Sequence, residues 1–175
     1  MRLTDAITLI QNADISKTSP STWADLGCGS GTFTYALANL LAPKSTIYAM
    51  DKTVQQLQPT TSNKVEVLFK QGDFIREALS FPPLDGILMA NALHYVQDKN
   101  SLIERLKTYL AENGMFIIVE YDTTRANQWV PYPVDRASLQ QLFSVAGFTN
   151  MKALGERPSV YHNRTLYACQ LKNRG

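Results

Sequence analysis

The stretch that most constrains this chain is Trp23–Gly31, W-A-D-L-G-C-G-S-G, which runs directly into the helical sequence TFTYALANLLA. A short apolar strand ends in an acid, glycines alternate at Gly27, Gly29 and Gly31, and an amphipathic helix follows with no spacer. Alternating glycines let the backbone turn sharply and let a ligand lie against bare main chain, where any Cβ would clash. The helix start behind them offers unpaired N–H groups and the positive end of a dipole. Such a loop suits a nucleotide-type cofactor.

The spacing narrows the choice of cofactor. A dinucleotide fingerprint requires G-x-G-x-x-G, but its last glycine falls on Thr32 when counted from Gly27 and on Thr34 when counted from Gly29. No Gly-Lys-Ser/Thr follows, so the phosphate-binding P-loop fails as well. What remains is Asp-x-Gly-x-Gly-x-Gly over Asp25–Gly31. It resembles motif I of the class I S-adenosylmethionine (SAM)-dependent methyltransferases, in their small-molecule, type 11/12-like branch. The resemblance implies that Asp25 and the turn Gly27, Cys28, Gly29 and Gly31 hold the methionine part of SAM.

Three further features stand at fitting distances. Twenty residues past Gly31, the strand-like run Thr46–Met50 ends in Asp51. An acid there can accept both hydroxyls of a ribose through charged hydrogen bonds of roughly 1.5–3 kcal/mol each. On position alone Asp51 serves equally as the N-cap of a helix beginning near Lys52; behind a glycine loop the ribose reading is preferred, and Lys52 joins the cofactor set. Val65–Phe69 is a third strand-like run, broken by Gln71-Gly72-Asp73-Phe74. In the resembling family an acid here receives the adenine amino group and the next apolar side chain packs on the ring, roles that Asp73 and Phe74 match beside Gly72. The plain alternative is a turn with Phe74 in the core. Leu84–Ala90 is a fourth, nearly all-apolar strand suited to burial on both faces. It leads into Asn91-Ala92-Leu93-His94-Tyr95, where the resemblance places a segment lining both cofactor, through Asn91 and Ala92, and substrate. The likeness covers roughly Ser21–Phe148.

Strands are expected near 22–26, 46–51, 65–70, 84–90 and 115–121, and helices near 32–42, 52–57, 99–111 and 136–146. This alternation implies an α/β three-layer sandwich, a mostly parallel sheet with helices on both faces and the cofactor at its carboxyl edge. Strand-like runs at Asn150–Leu154 and Arg164–Leu171 would complete a seven-stranded sheet whose last strand is antiparallel, as the resemblance implies. The connection Gly155–Asn163 between them exceeds a minimal hairpin turn. At 175 residues the chain suits one domain, 1–175, in which residues 1–20 form a lead-in and a short helix presenting Leu3, Ile7 and Ile10 on one face.

Composition excludes several classes. Apolar runs are strand-sized, so no membrane span is expected, and no signal segment opens the chain. The net charge of +2 divides into 7 basic and 8 acidic groups over residues 1–90, and 10 and 7 over 91–175. That tilt is too scattered for a nucleic-acid footprint. Asn91 is followed by Ala92-Leu93-His94, not by the Asn-Pro-Pro-aromatic run with which related enzymes grip a planar amino group. Cys28 and Cys169 lie in dissimilar settings, pointing to small buried thiols in a reducing cytoplasm, and with two histidines and no C-x-x-C no metal site is expected.

SAM carries an activated methyl group and leaves as S-adenosylhomocysteine, so orientation and exclusion of water supply much of the rate. A general base matters only where the nucleophile must lose a proton. His94, just beyond the fourth strand, is the candidate base; its plain alternative is a packed histidine satisfying a loop carbonyl. Tyr95 either lines the substrate pocket or anchors the next helix. The polar, proline-bearing segment Glu120–Pro133 leaves the fifth strand at the sheet edge, and there Trp129 and Tyr132, stiffened by Pro131 and Pro133, are read as an aromatic wall over the substrate. Arg157, Tyr161 and His162 are read as loop residues. The function expected is methyl transfer from SAM to a small-molecule acceptor. Two alternatives stand beside it: a SAM-binding regulatory protein without catalysis, and a nicotinamide-dependent oxidoreductase, against which the failed third glycine counts.

Overall fold

The computed structural model describes residues 1–158 and 165–173. Seven strands form one sheet: β1 Thr22–Leu26, β2 Thr46–Asp51, β3 Glu66–Gln71, β4 Leu84–Ala90, β5 Leu110–Tyr121, β6 Asn150–Pro158 and β7 Thr165–Lys172. Their order is β3-β2-β1-β4-β5-β7-β6. β1 pairs in parallel with β2 and β4, β2 with β3, and β4 with β5. β7 alone is antiparallel, running against both β5 and β6. The α/β sandwich and antiparallel last strand expected from the sequence are therefore present.

Central strands sealed on both faces must be apolar throughout. Gly86–Ala90 of β4 and Met115–Val119 of β5 follow that rule, with every residue of both stretches buried. One face carries α1 (Leu3–Ile10) and α2 (Thr32–Leu40), which pack with Trp23, Leu88 and Ile117. The other carries α3 (Lys99–Lys107) and α4 (Arg136–Val145), packed with Leu26, Ile87, Met89 and Phe116. Asp98 and Asp135 cap these two helices, accepting from the N–H groups of Ser101 and Ser138 at 3.0 Å.

Several sequence expectations are corrected. No helix forms over 52–57. Asp51 instead takes the N–H and O–H of Thr53, Gln58 N–H donates to the Tyr35 hydroxyl at 2.7 Å, and Pro59 blocks helix continuation. α3 stops at Lys107 because Thr108 and Tyr109 N–H groups fold back three residues, to Arg105 and Leu106. β5 accordingly starts at Leu110, paired with Leu84, five residues before the expected start at 115. β6 runs past Leu154 to Pro158, with a register shift at Ala153/Gly155, so Gly155–Pro158 belongs to a strand and not to a connection. In α1 the buried residues are Ala6, Leu9 and Ile10, while Leu3 is 44% exposed. Asp5 pairs with Arg157 at 2.9 Å and Asn12 donates to Leu154 O at 2.8 Å, fixing this helix to β6.

No helix among the described residues is long and apolar enough to cross a membrane.

Candidate functional site

Strand order reverses between β1 and β4, and in open α/β sheets ligands bind at the carboxyl end of such a switch point. Two segments flank it: the glycine loop after β1 and Asn91–Tyr95 after β4. Gly27, Gly29 and Gly31 all have positive φ, at 79°, 50° and 86°, a region that side chains resist. They differ in what surrounds them. A Cβ on Gly27 would lie 2.7 Å from the Ala92 Cβ and 3.5 Å from Phe74, so the β1, β3 and β4 loops meet there. A Cβ on Gly31 would strike Leu57 and Tyr35, which makes Gly31 a packing position. A Cβ on Gly29 would meet nothing within 4 Å. Gly29 is the bare backbone face that a ligand can use.

Two acids hold this loop from either side. Asp25 is fully buried, and its Oδ2 accepts from the Thr34 hydroxyl at 2.6 Å. Its Oδ1 is buried with no hydrogen-bond partner among the described residues. Burial pushes the Asp25 carboxyl up to about 7; the Thr34 hydroxyl opposes the shift and the charge of Asp51 adds to it. Asp51 does the opposite. Burial would raise it, yet three donors outweigh that and hold it below the usual carboxylate range: Thr53 N–H at 2.9 Å, Thr53 O–H at 2.7 Å and Gly29 N–H at 2.8 Å. With no helix behind it, Asp51 is not an N-cap; it ties the end of β2 to the glycine loop.

Asn91 has φ 54° and a buried Oδ1 that also lacks a partner among the described residues. An unpaired buried acceptor costs about 1–3 kcal/mol, and one such atom lies in β1 and the other just after β4, on either side of the switch point. Asp25, Asn91 and the open face of Gly29 thus suit a ligand that brings its own N–H and O–H donors.

The structure places the remaining residues of the expected cofactor set as follows. Cys28 is a free buried thiol whose pKa burial drives far upward, so it is inert. Cys169 is likewise free and buried, its thiol pushed up to about 12 by burial. Lys52 is exposed, and its carbonyl accepts from Gln71 Nε2 at 3.1 Å. Gly72 is buried where a Cβ would meet Met50 and Glu77. Asp73 Oδ1 accepts from Ile75 N–H at 2.9 Å, closing the turn after β3. Phe74 is buried, with one ring edge toward Gly27.

After β4, His94 is buried in a short 3₁₀ turn, Leu93–Tyr95. Its Nδ1 lies 2.6 Å from Glu120 Oε2, and its backbone N–H donates to Glu120 Oε1 at 3.1 Å. Glu120, the penultimate residue of β5, is 1% exposed. Sequence reasoning gave it no role, although an acid ending the apolar run Phe116–Val119 is a signal, since carboxylates are seldom fully buried unless paired. The loop after β5 returns to this turn. Tyr132 N–H donates to His94 O at 3.0 Å, and Lys99 Nζ reaches Val96 O at 2.7 Å and Tyr132 O at 2.8 Å. Burial lowers the Lys99 pKa, against the pull of Glu120. Tyr95 is 50% exposed with its ring 4.3 Å from that of His94; Tyr132 is also exposed. Trp129, expected beside Tyr132 as a wall, is 67% exposed and makes no ring–ring contact among the described residues. Tyr161 and His162 lie outside the described residues. No cluster of three or more metal-binding side chains occurs among the described residues.

A seven-stranded Rossmann-like sheet with a glycine loop and buried acids at its switch point defines the class I methyltransferase superfamily. The sequence matches the family model described as "Methyltransferase domain" over residues 17–162, and the chain belongs to that family of enzymes. Solved structures agree on the fold. The YcgJ protein of Bacillus subtilis superposes with a TM-score of 0.70 at 13% identity, covering 98% of this chain and 99% of that one. The 1,6-didemethyltoxoflavin-N1-methyltransferase of Burkholderia thailandensis, solved with S-adenosylhomocysteine, gives 0.68 at 18% identity, covering 89% and 72%. The magnesium protoporphyrin IX methyltransferase of Synechocystis, also with S-adenosylhomocysteine, gives 0.65 at 15%, covering 89% and 75%. No curated protein matches the sequence.

Proposed function

We propose that this chain is a single-domain enzyme, working in the cytoplasm, that transfers the methyl group of SAM to a small-molecule acceptor. The observation that carries this reading is the pair of buried oxygens without a partner among the described residues, Asp25 Oδ1 ahead of the glycine loop and Asn91 Oδ1 after β4, together with the open backbone of Gly29. SAM carries an ammonium and a ribose diol, the donors such a site lacks. In this reading the methionine part lies along Gly29 with its ammonium toward Asp25 and Asn91. Asp51 receives the ribose through its remaining lone pairs, and Asp73 and Phe74 receive the adenine. When bound, SAM supplies a sulfonium-activated methyl group. The chain's share of the work is to hold the cofactor against Gly27–Gly31, present the acceptor from the His94–Tyr95 side and keep water out.

The small acceptor is supported by the small substrates named for two structural neighbours. Two free buried cysteines fit a reducing cytoplasm. The test is incubation with methyl-labelled SAM and a metabolite extract, alongside titrations of SAM and NADH. Label passing to a small molecule, with micromolar SAM binding and no NADH binding, is the expected result. NADH binding without SAM binding would sink the reading.

A further inference from the structure

We propose that Glu120 is the positioning residue of a Glu120–His94 proton-accepting pair, and that the acceptor is a hydroxyl whose proton leaves as it is methylated. The inference rests on the methyltransferase reading above and adds to it the chemical class of the acceptor.

Both side chains are buried, at 1% exposure for Glu120 and 3% for His94, and burying a carboxylate without compensation is costly. Both Glu120 oxygens are spent on His94, one on the backbone N–H and one on the ring. Fixing the turn alone would need one neutral acceptor; the second bond sets the imidazole. A carboxylate can only accept, so the ring proton of a neutral His94 sits on Nδ1, and in that tautomer Nε2 keeps its lone pair. Among the described residues no hydrogen bond is made to Nε2. Two residues before His94, Ala92 abuts Gly27 of the cofactor loop, which sets the pair beside the expected methyl group.

A base of this kind serves an acceptor that arrives protonated. An amine already neutral would need only orientation. For a hydroxyl, the oxygen forms the new C–O bond as the S–CH₃ bond breaks. The electron pair stays on sulfur as a neutral thioether, and the hydroxyl proton passes to His94 Nε2. Glu120 does not take that proton; it favours the imidazolium that forms. The groups facing the pair are Lys99 and Tyr167, which feel the charge of Glu120, and the rings of Tyr95 and Tyr121.

The test begins with ¹⁵N NMR of the imidazoles in the SAM-bound protein, a simple spectrum because the chain has 2 histidines. His94 is expected as the Nδ1–H tautomer with an unprotonated Nε2; the Nε2–H tautomer would overturn the pair. Glu120→Gln should lose turnover by roughly 10²-fold with SAM affinity unchanged. The acid limb of its pH–rate profile should move to lower pH, because the carboxylate favouring the imidazolium is gone. A lower rate with an unmoved limb would reduce Glu120 to a structural role. The methyl label should sit on oxygen. Label on nitrogen, carbon or sulfur, or none despite SAM binding, would overturn the hydroxyl assignment, whereas absent SAM binding would instead sink the methyltransferase reading beneath it.

Discussion

The two halves of the site are built differently. Around β1, β2 and β4 the contacts are backbone and carboxylate: Gly29 N–H to the half-buried Asp51, Thr34 to the buried Asp25, and Gly27 closed by Ala92 and Phe74. In the turn after β4 and the loop after β5 the walls are side chains standing in solvent, with Tyr95 at 50% exposure and Trp129 at 67%. Even there one element is as fixed as the glycine loop, the buried His94–Glu120 pair, and Tyr132 N–H on His94 O fastens the loop to it. A site whose recognition is carried by main chain and buried acids commits to one ligand. A site walled by exposed aromatics on a loop can change its ligand without disturbing the core. On the proposed reading, the cofactor is inscribed in the fold and the acceptor only through the His94 turn.

Substitutions on each side sharpen or break that contrast. The largest effect belongs to Gly29→Val. Its Cβ meets nothing in the protein, so the chain stays folded apart from the strain of a positive φ, while the ligand's place is filled. SAM affinity should fall by about 100-fold or more, on the order of 3 kcal/mol, by calorimetry. A folded variant with parent affinity would make the loop a packing turn and erase the contrast. Asp51→Ala comes next, removing the proposed ribose partner and also the brace on Gly29 and Thr53. A loss of about 1.5–3 kcal/mol in SAM binding is expected.

Asp25 yields a pH signature. Its folded-state pKa is raised to about 7 by burial, above its value in the unfolded chain. The stabilisation from keeping it neutral is full below the unfolded value of about 4 and is lost as pH rises through about 7. Denaturant midpoints of the ligand-free protein should therefore decline from pH 5 to about 8, and Asp25→Asn should flatten the decline. The smallest effect is expected from Trp129→Ala. Stability should change by no more than about 0.5 kcal/mol and SAM affinity not at all, while the acceptor KM rises. A weakened SAM affinity would mean that the two halves are not separate.

The same contrast explains what could be read from sequence. β1, β2 and β4 emerge with their observed bounds because parallel strands buried on both faces are written as apolar runs ended by Asp, Asn or Gly. The glycine loop is legible because its chemistry lies in residue type and spacing. The segment after Asp51 misleads: Gln55, Gln56 and Leu57 read as helix, but Thr53 on Asp51 and Gln58 on Tyr35 are tertiary ties that no local pattern records. Asn91 gives no sign of its left-handed backbone, nor His94 of its partner 26 residues on. That partner stands in the sequence as a lone acid closing an apolar strand. Its meaning appears only once β4 and β5 lie side by side.

The most direct test of the central claim is calorimetric titration of SAM near pH 7 in two buffers of different ionisation enthalpy. With an ammonium delivered to a carboxyl that titrates at about 7, binding should be micromolar and should release a fraction of a proton, and Asp25→Asn should abolish the release. Failure of the wild-type protein to bind SAM in either buffer would contradict the account.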